Sequence, residues 1–304
     1  MLDRNTRNTQ KRFILSISLT ALILVAEIIG GIWSGSLALL SDAAHVFSDI
    51  FALGLSYFAL RLAERPVDDR HSYGWHRTEV IAALVNGTSL LVIAVGIWVE
   101  AVKRWQAPIE IKSMEMMVIA IIGLIVNMVV AYILGGHDHN HAQGKITTRN
   151  LNVQSAFLHV IGDLISSVGV IIAALLIRFT GAQWIDPLIS IFIGAIILVS
   201  AYRLLRKSLH ILIEGVPEGL SVKEINQSIA AIAEVEAVHD LHVWNVGAED
   251  VALSAHVVLT TSGFSHQPVV MEGIRDLLAG EYDITHTTLQ FEESHCGGGY
   301  GGCN

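Results

Sequence analysis

Six apolar stretches, at about 13–33, 38–62, 79–102, 115–135, 152–178 and 184–205, constrain this chain more than any other feature. Each is long enough to cross a hydrocarbon core of roughly 30 Å at 1.5 Å per residue. Away from water, such a segment satisfies every backbone N–H and C=O by becoming a helix. The chain is 52% hydrophobic and 15% charged, with mean hydropathy +0.55, too apolar for an ordinary soluble enzyme and too polar for spans alone. Its start (Arg4, Arg7, Lys11, Arg12) looks like the basic region of a signal peptide. The apolar stretch that follows is about twenty residues long and lacks a small-x-small cleavage pattern, so it is expected to stay as the first span.

Basic residues choose the orientation. Arg4, Arg7, Lys11 and Arg12, then Arg61, Arg65, Arg70 and Arg77, then Lys145 and Arg149, and finally Arg203, Arg206 and Lys207 all fall on one side of a six-span layout. The other side holds only Lys103, Arg104, Lys112 and Arg178. The positive-inside rule therefore makes both termini cytoplasmic. Of the 14 histidines, all but His45 and His159 fall on that cytoplasmic side. From Ser208 onward there are 14 Asp/Glu against 2 Lys/Arg, whereas residues 1–207 carry 14 against 17. A slightly basic membrane part thus precedes a strongly acidic tail, which attracts cations and offers nothing to nucleic acid.

Two copies of one short pattern stand inside the apolar runs: His45-Val46-Phe47-Ser48-Asp49 and His159-Val160-Ile161-Gly162-Asp163. Residues four apart on a helix share a face, so each copy presents an imidazole with a carboxylate. Brought together, two such faces offer a tetrahedral N2O2 set suited to a divalent metal, above all zinc. Ionisable groups at membrane depth cost roughly 2.5–3.5 kcal/mol each on insertion scales, which argues for function over passengers. The plainer alternative is polar glue between helices. Asp42, one turn before His45, either extends an ion path or caps or hydrogen-bonds a neighbour.

Beyond residue 212 the periodicity changes. Helices are expected over 222–233 and 268–279, with strands over 238–246, 251–259 and 284–291. This αββαβ order makes a ferredoxin-like α+β domain. The expected organisation is a six-span transport domain (1–207), a cytoplasmic regulatory and dimerisation domain (208–293) and a flexible Gly-rich tail (294–304). That tail carries both cysteines, Cys296 and Cys303, and two cysteines make no disulfide framework.

Taken together, the doubled HxxxD, the six spans and the acidic tail domain resemble the cation diffusion facilitator family, and its zinc transporters most. The resemblance runs from about residue 10 to 293. It includes Ser41-Asp42-Ala43, the run from Tyr73 to Glu79, Asp186-Pro187 and the run from Val238 to Trp244. It implies a homodimer, embedded in membrane lipid, that exchanges cytoplasmic Zn²⁺ for external H⁺ by alternating access. By position the transport site falls on His45, Asp49, His159 and Asp163, and His at position 45 points to zinc over cadmium, iron or manganese. Part of the family binds a second metal in the loop between spans two and three. Asp68, His71 and His76 are the candidates here, although Trp75 occupies the position four after His71; a solvated polar loop is the alternative. His137, His139 and His141 form a short version of the family's histidine-rich loop, able to collect zinc weakly. In the tail, His239, His242, His256, His286, Glu293 and Cys296 are candidates for regulatory zinc. In a regular strand residues 239 and 242 point to opposite faces, so they share an ion only if a bulge intervenes.

The expected function is zinc/proton antiport without enzymatic activity, with a broader Zn/Cd/Co exporter as the alternative. Compact loops and the lack of a targeting extension favour a bacterial inner membrane. An intramembrane zinc hydrolase is disfavoured because no HExxH is present and four protein ligands would leave no open metal position. A membrane-anchored zinc sensor is disfavoured because an anchor has no use for polar residues buried in four spans.

Overall fold

The computed structural model describes residues 4–135, 149–248 and 250–293, and the side chains of residues 15, 17–130, 164–248 and 250–293. Six long helices come first: α1 (Arg4–Ser34), α2 (Leu37–Ala63), α3 (Arg77–Gln106), α4 (Ser113–Gly135), α5 (Arg149–Thr180) and α6 (Ile185–Leu212). Five are long and apolar enough to cross a membrane among the described residues, on α1, α2, α3, α4 and α6. The sixth span expected from the sequence lies on α5, whose apolar described part is the shorter Leu164–Thr180. The helices are apolar on the outside: Leu22, Ile32, Val92 and Phe192 are 68%, 70%, 66% and 56% exposed. Such a surface suits hydrocarbon rather than water.

Two compact units divide the chain, residues 1–54 with 86–202 and residues 55–85 with 203–304. In the first, Ala38, Leu39, Leu90, Ala94, Met116, Ala120, Ala173, Ala174, Ile197 and Ala201 form a common core. Its alanines let helix backbones approach closely, as is usual where lipid removes the hydrophobic incentive. Gly123 on α4 makes room for a polar group: a Cβ there would stand 2.6 Å from Oε1 of the buried Glu27 on α1.

One end of this unit is tied by Asp186, at the start of α6. Its carboxylate accepts from the Ser36 hydroxyl (2.6 Å) and from the backbone N–H groups of Leu37 (2.8 Å) and Ala38 (3.2 Å). A side chain from α6 thus caps the first turn of α2, satisfying donors that no residue of α2 itself can. Arg104 stands 3.9 Å from the same carboxylate and donates to the Gly35 carbonyl.

The second unit holds α7 (Val222–Ala230), β1 (Val235–Asn245), β2 (Val251–Leu259), the short α8 (Thr261–Ser265), α9 (Gln267–Tyr282) and β3 (His286–Glu292). Ser221 caps α7, accepting from the Glu224 N–H at 3.3 Å. The sheet order is β1-β2-β3, with β1 antiparallel and β3 parallel to β2. Leu253, Ala255, Val257 and Leu259 face Ile225, Ile229, Val270, Ile274 and Leu278, so both main helices cover one face of the sheet. The alternate residues of β2, Ser254 and His256 among them, take the other face.

Candidate metal centres

The sheet face away from α7 and α9 carries His239, His242 and His256. His239 pairs with His256 across β1 and β2, and the register then shifts before His242 meets Ser254. Asp240 lies in this bulge with φ +50°, a left-handed conformation that aspartate tolerates better than most residues. The extra residue turns His242 onto the same face as His239, so the bulge that a shared face required is present. His242 nevertheless stays apart: it is exposed, and its Nε2 lies 3.0 Å from Asp240 Oδ1.

His239, His256 and Glu292 form the cluster. The Nε2 of His239 is 3.1 Å from Glu292 Oε2, and the Nδ1 of His256 is 2.7 Å from Glu292 Oε1. Among the described residues this is a group of three whose ligand atoms all lie within 4.8 Å of one another. Two imidazole nitrogens and a carboxylate oxygen suit zinc, with a fourth position left to another group. Burial raises the Glu292 carboxyl, but hydrogen bonds with His256, His239 and Gln290 outweigh it and hold the group below the ordinary glutamate range. Glu292, not the expected Glu293, completes the set. Strand β3 runs to residue 292, and alternation from His286 brings 288, 290 and 292 to the histidine face, while Glu293 lies exposed beyond the strand. The expectation ended the strand at Phe291 and so lost that parity. His286 is also outside the cluster, its ring edge-on to Tyr73 at 5.7 Å.

The second centre lies on α2. Asp42, His45 and Asp49 are three and four residues apart and share a helix face. Asp42 is 3% exposed, and its two oxygens accept from the hydroxyls of Ser166 (2.5 Å) and Ser167 (3.1 Å) on α5. The hydrogen bond to a neighbour that was one expectation for Asp42 is present, and the neighbour is α5. Helix α2 begins and α5 ends at the Asp186 end of the unit, so the two run antiparallel. His45 lies three residues beyond Asp42, and Asp163 three residues before Ser166. Asp49 lies seven beyond, and His159 seven before. Both pairs of steps carry the chain about 4.5 Å and about 10.5 Å from the serine contacts. The two HxxxD copies therefore stand at matching levels, with a histidine position opposite an aspartate position at each. The side chains of His159 and Asp163 fall outside the described residues.

The loop between α2 and α3 brings Asp68 and His71 together. Asp68 Oδ1 accepts from the Arg70 N–H and His71 N–H and lies 2.9 Å from His71 Nδ1. The N–H of Arg70 is the first cause, and His71 a further one, of an Asp68 carboxyl held below its usual range. The Trp75 ring lies against the His71 ring, with centroids 3.9 Å apart and the planes tilted by 30°. His76 does not join them; its Nδ1 lies 3.3 Å from Asp250 Oδ2. Of the three loop candidates, Asp68 and His71 thus pair with each other and His76 pairs with Asp250 instead. His137, His139, His141, Cys296 and Cys303 lie outside the described residues.

Comparison with known proteins places both regions. Residues 13–213 match the cation efflux transmembrane domain, and residues 217–294 match the cytoplasmic domain of cation efflux proteins. The metal cation efflux system protein CzcD of Cupriavidus metallidurans is 38% identical over 93% of this chain and 86% of its own length. The cadmium, cobalt and zinc/H(+)-K(+) antiporter of Bacillus subtilis is 37% identical over 96% and 92%. The zinc transporter ZitB of Yersinia pestis is 39% identical over 95% and 90%.

Proposed function

Because the chain belongs to the cation efflux family, the cation diffusion facilitators, we propose that it exports divalent metal cations in exchange for protons, carrying zinc and with it cadmium and cobalt. Members of this family are integral membrane transporters and not enzymes. The matching levels of the two HxxxD copies, set by the Asp42 contacts with Ser166 and Ser167, carry the reading. His45, Asp49, His159 and Asp163 are the transport ligands in it. The expectation of zinc over cadmium gives way here to its alternative, the broader Zn/Cd/Co exporter. Relatives similar along nearly their whole length are named for metal cations in general and for cadmium, cobalt and zinc. A mixed imidazole and carboxylate set is compatible with all three ions.

The chemistry supplies the exchange. Ligation needs neutral imidazole and ionised carboxylate, so an arriving cation displaces protons from His45 and its partners. Protons arriving from the other side reverse the step once the helices have rearranged. The protein works as a homodimer with six spans in a bacterial inner membrane, both termini cytoplasmic. The His239, His256 and Glu292 group binds regulatory zinc, which draws together two acidic tail domains that otherwise repel each other. The experiment is competition in proteoliposomes: cadmium and cobalt should each inhibit ⁶⁵Zn²⁺ uptake and should themselves be taken up. Inhibition by neither ion would return the assignment to zinc alone.

A further inference from the structure

A buried carboxylate at membrane depth must be given a reason, and the transport reading does not use Asp42 as a ligand. Asp42 is 3% exposed, while Ser166 and Ser167, which donate to its two oxygens, are 5% and 1% exposed. Such a bond cannot exchange readily for water. Hydrogen bonds to a charged acceptor are shorter and stronger than neutral ones. Two of them, to adjacent residues of one helix, fix both the axial position and the rotation of α5 against α2. The residues in question stand three from His45 on one helix and three from Asp163 on the other. A slip of α5 by one residue would move its ligand positions by about 1.5 Å and rotate them by about 100°. That displacement far exceeds the tolerance of roughly 0.2 Å on zinc–ligand distances.

We infer that Asp42, Ser166 and Ser167 form a positioning clasp that sets the register of the two HxxxD faces and thereby the preference of the site among divalent cations of different size. The inference rests on the transport reading above. On this view Asp42 neither touches the cation nor carries its protons. It holds α2 and α5 as one body, so that rearrangement moves the site whole instead of splitting it. An asparagine at position 42 can preserve the clasp: its carbonyl accepts from Ser166, and its amide donates to the Ser167 oxygen.

The test uses the full-length protein in proteoliposomes, with ⁶⁵Zn²⁺ and ¹⁰⁹Cd²⁺ flux measured for wild type, Asp42→Asn, Asp42→Ala and the double variant Ser166→Ala/Ser167→Ala. The double variant and Asp42→Ala should raise the zinc KM about tenfold, as loss of a charge-assisted hydrogen bond implies. They should also reduce the preference for zinc over the larger cadmium, with a smaller change in kcat. Asp42→Asn should stay within about twofold of wild type. Three results would overturn the clasp. One is a double variant with wild-type KM and metal preference. Another is a double variant that only loses thermal stability or yield while the surviving protein transports normally. The third is an Asp42→Asn protein that is silent beside an active double variant, which would make Asp42 part of the ion path. If wild type moves no metal, the transport reading itself fails. Zinc Kd values for the same variants, in a His239→Ala/His256→Ala background, then decide the clasp: a rise in the double variant upholds it and no change removes it.

Discussion

Replacing Glu292 with Gln removes a carboxylate that the His239 and His256 imidazoles share. Zinc bound to the full-length protein should fall by about one ion per chain at low micromolar zinc, while Glu293→Gln should bind as wild type; equilibrium dialysis separates the two. Acid acts on the same group. The folded protein holds Glu292 below its ordinary range, so its carboxylate stabilises the metal-free fold above about pH 4.3 and ceases to do so as pH falls through the depressed value. The melting-temperature gap between wild type and Glu292→Gln should therefore be present near neutrality and close in acid. Residue identities of this kind were only partly legible in the sequence. The parity of a regular strand separates His239 from His242, and nothing in the local residues advertises the bulge at Asp240 that reverses it. Choosing Glu292 over Glu293 required the true end of β3, a boundary that a run of polar residues does not mark.

At the scale of elements, α2 depends on a group outside itself. Asp186 caps its first turn from α6 with no exposure to solvent. Asp186→Ala would leave Ser36, Leu37 and Ala38 without that acceptor and should cost about 3–5 kcal/mol, the usual penalty for removing one side of a buried charged contact. Thermal unfolding in detergent would show it, and a loss within about 0.5 kcal/mol would mean that α2 is held by packing alone. In the cytoplasmic domain, Leu253→Ala empties a fully buried position between β2 and the helices and should cost about 2–5 kcal/mol. Most helices and strands could be read from apolar length and alternation, since a span must be long and a half-covered strand must alternate; the short α8 and the start of β1 at Val235 could not. The cap from Asp186 could not: its partners lie 148 to 150 residues away, and only folding brings them together. The Asp42 contact is intermediate. The sequence shows a buried acid one turn from His45, but not that two serines of α5 would receive it.

The molecule as a whole joins an apolar helical unit to an acidic α+β unit, and the function proposed for it depends on matching levels of two short motifs that are 114 residues apart in the chain. The doubling of HxxxD suggests that pairing without coordinates, because two half-sites of the same kind imply each other. The cargo range was less readable. Imidazole and carboxylate exclude the hardest ions but do not separate zinc from cobalt or cadmium, so the sequence leaves the wider range as an alternative, and the names of similar proteins favour it. The most direct measurement is ⁶⁵Zn²⁺ accumulation by proteoliposomes with an imposed pH gradient, for wild type, Asp49→Ala and Asp163→Ala. A proton-coupled exporter accumulates zinc in wild-type vesicles only when the lumen is acidic, and both folded variants lose at least about 90% of that flux, a factor of ten or more. Uptake indifferent to the gradient, or undiminished in both variants, would contradict the exchange mechanism and the four-residue site together.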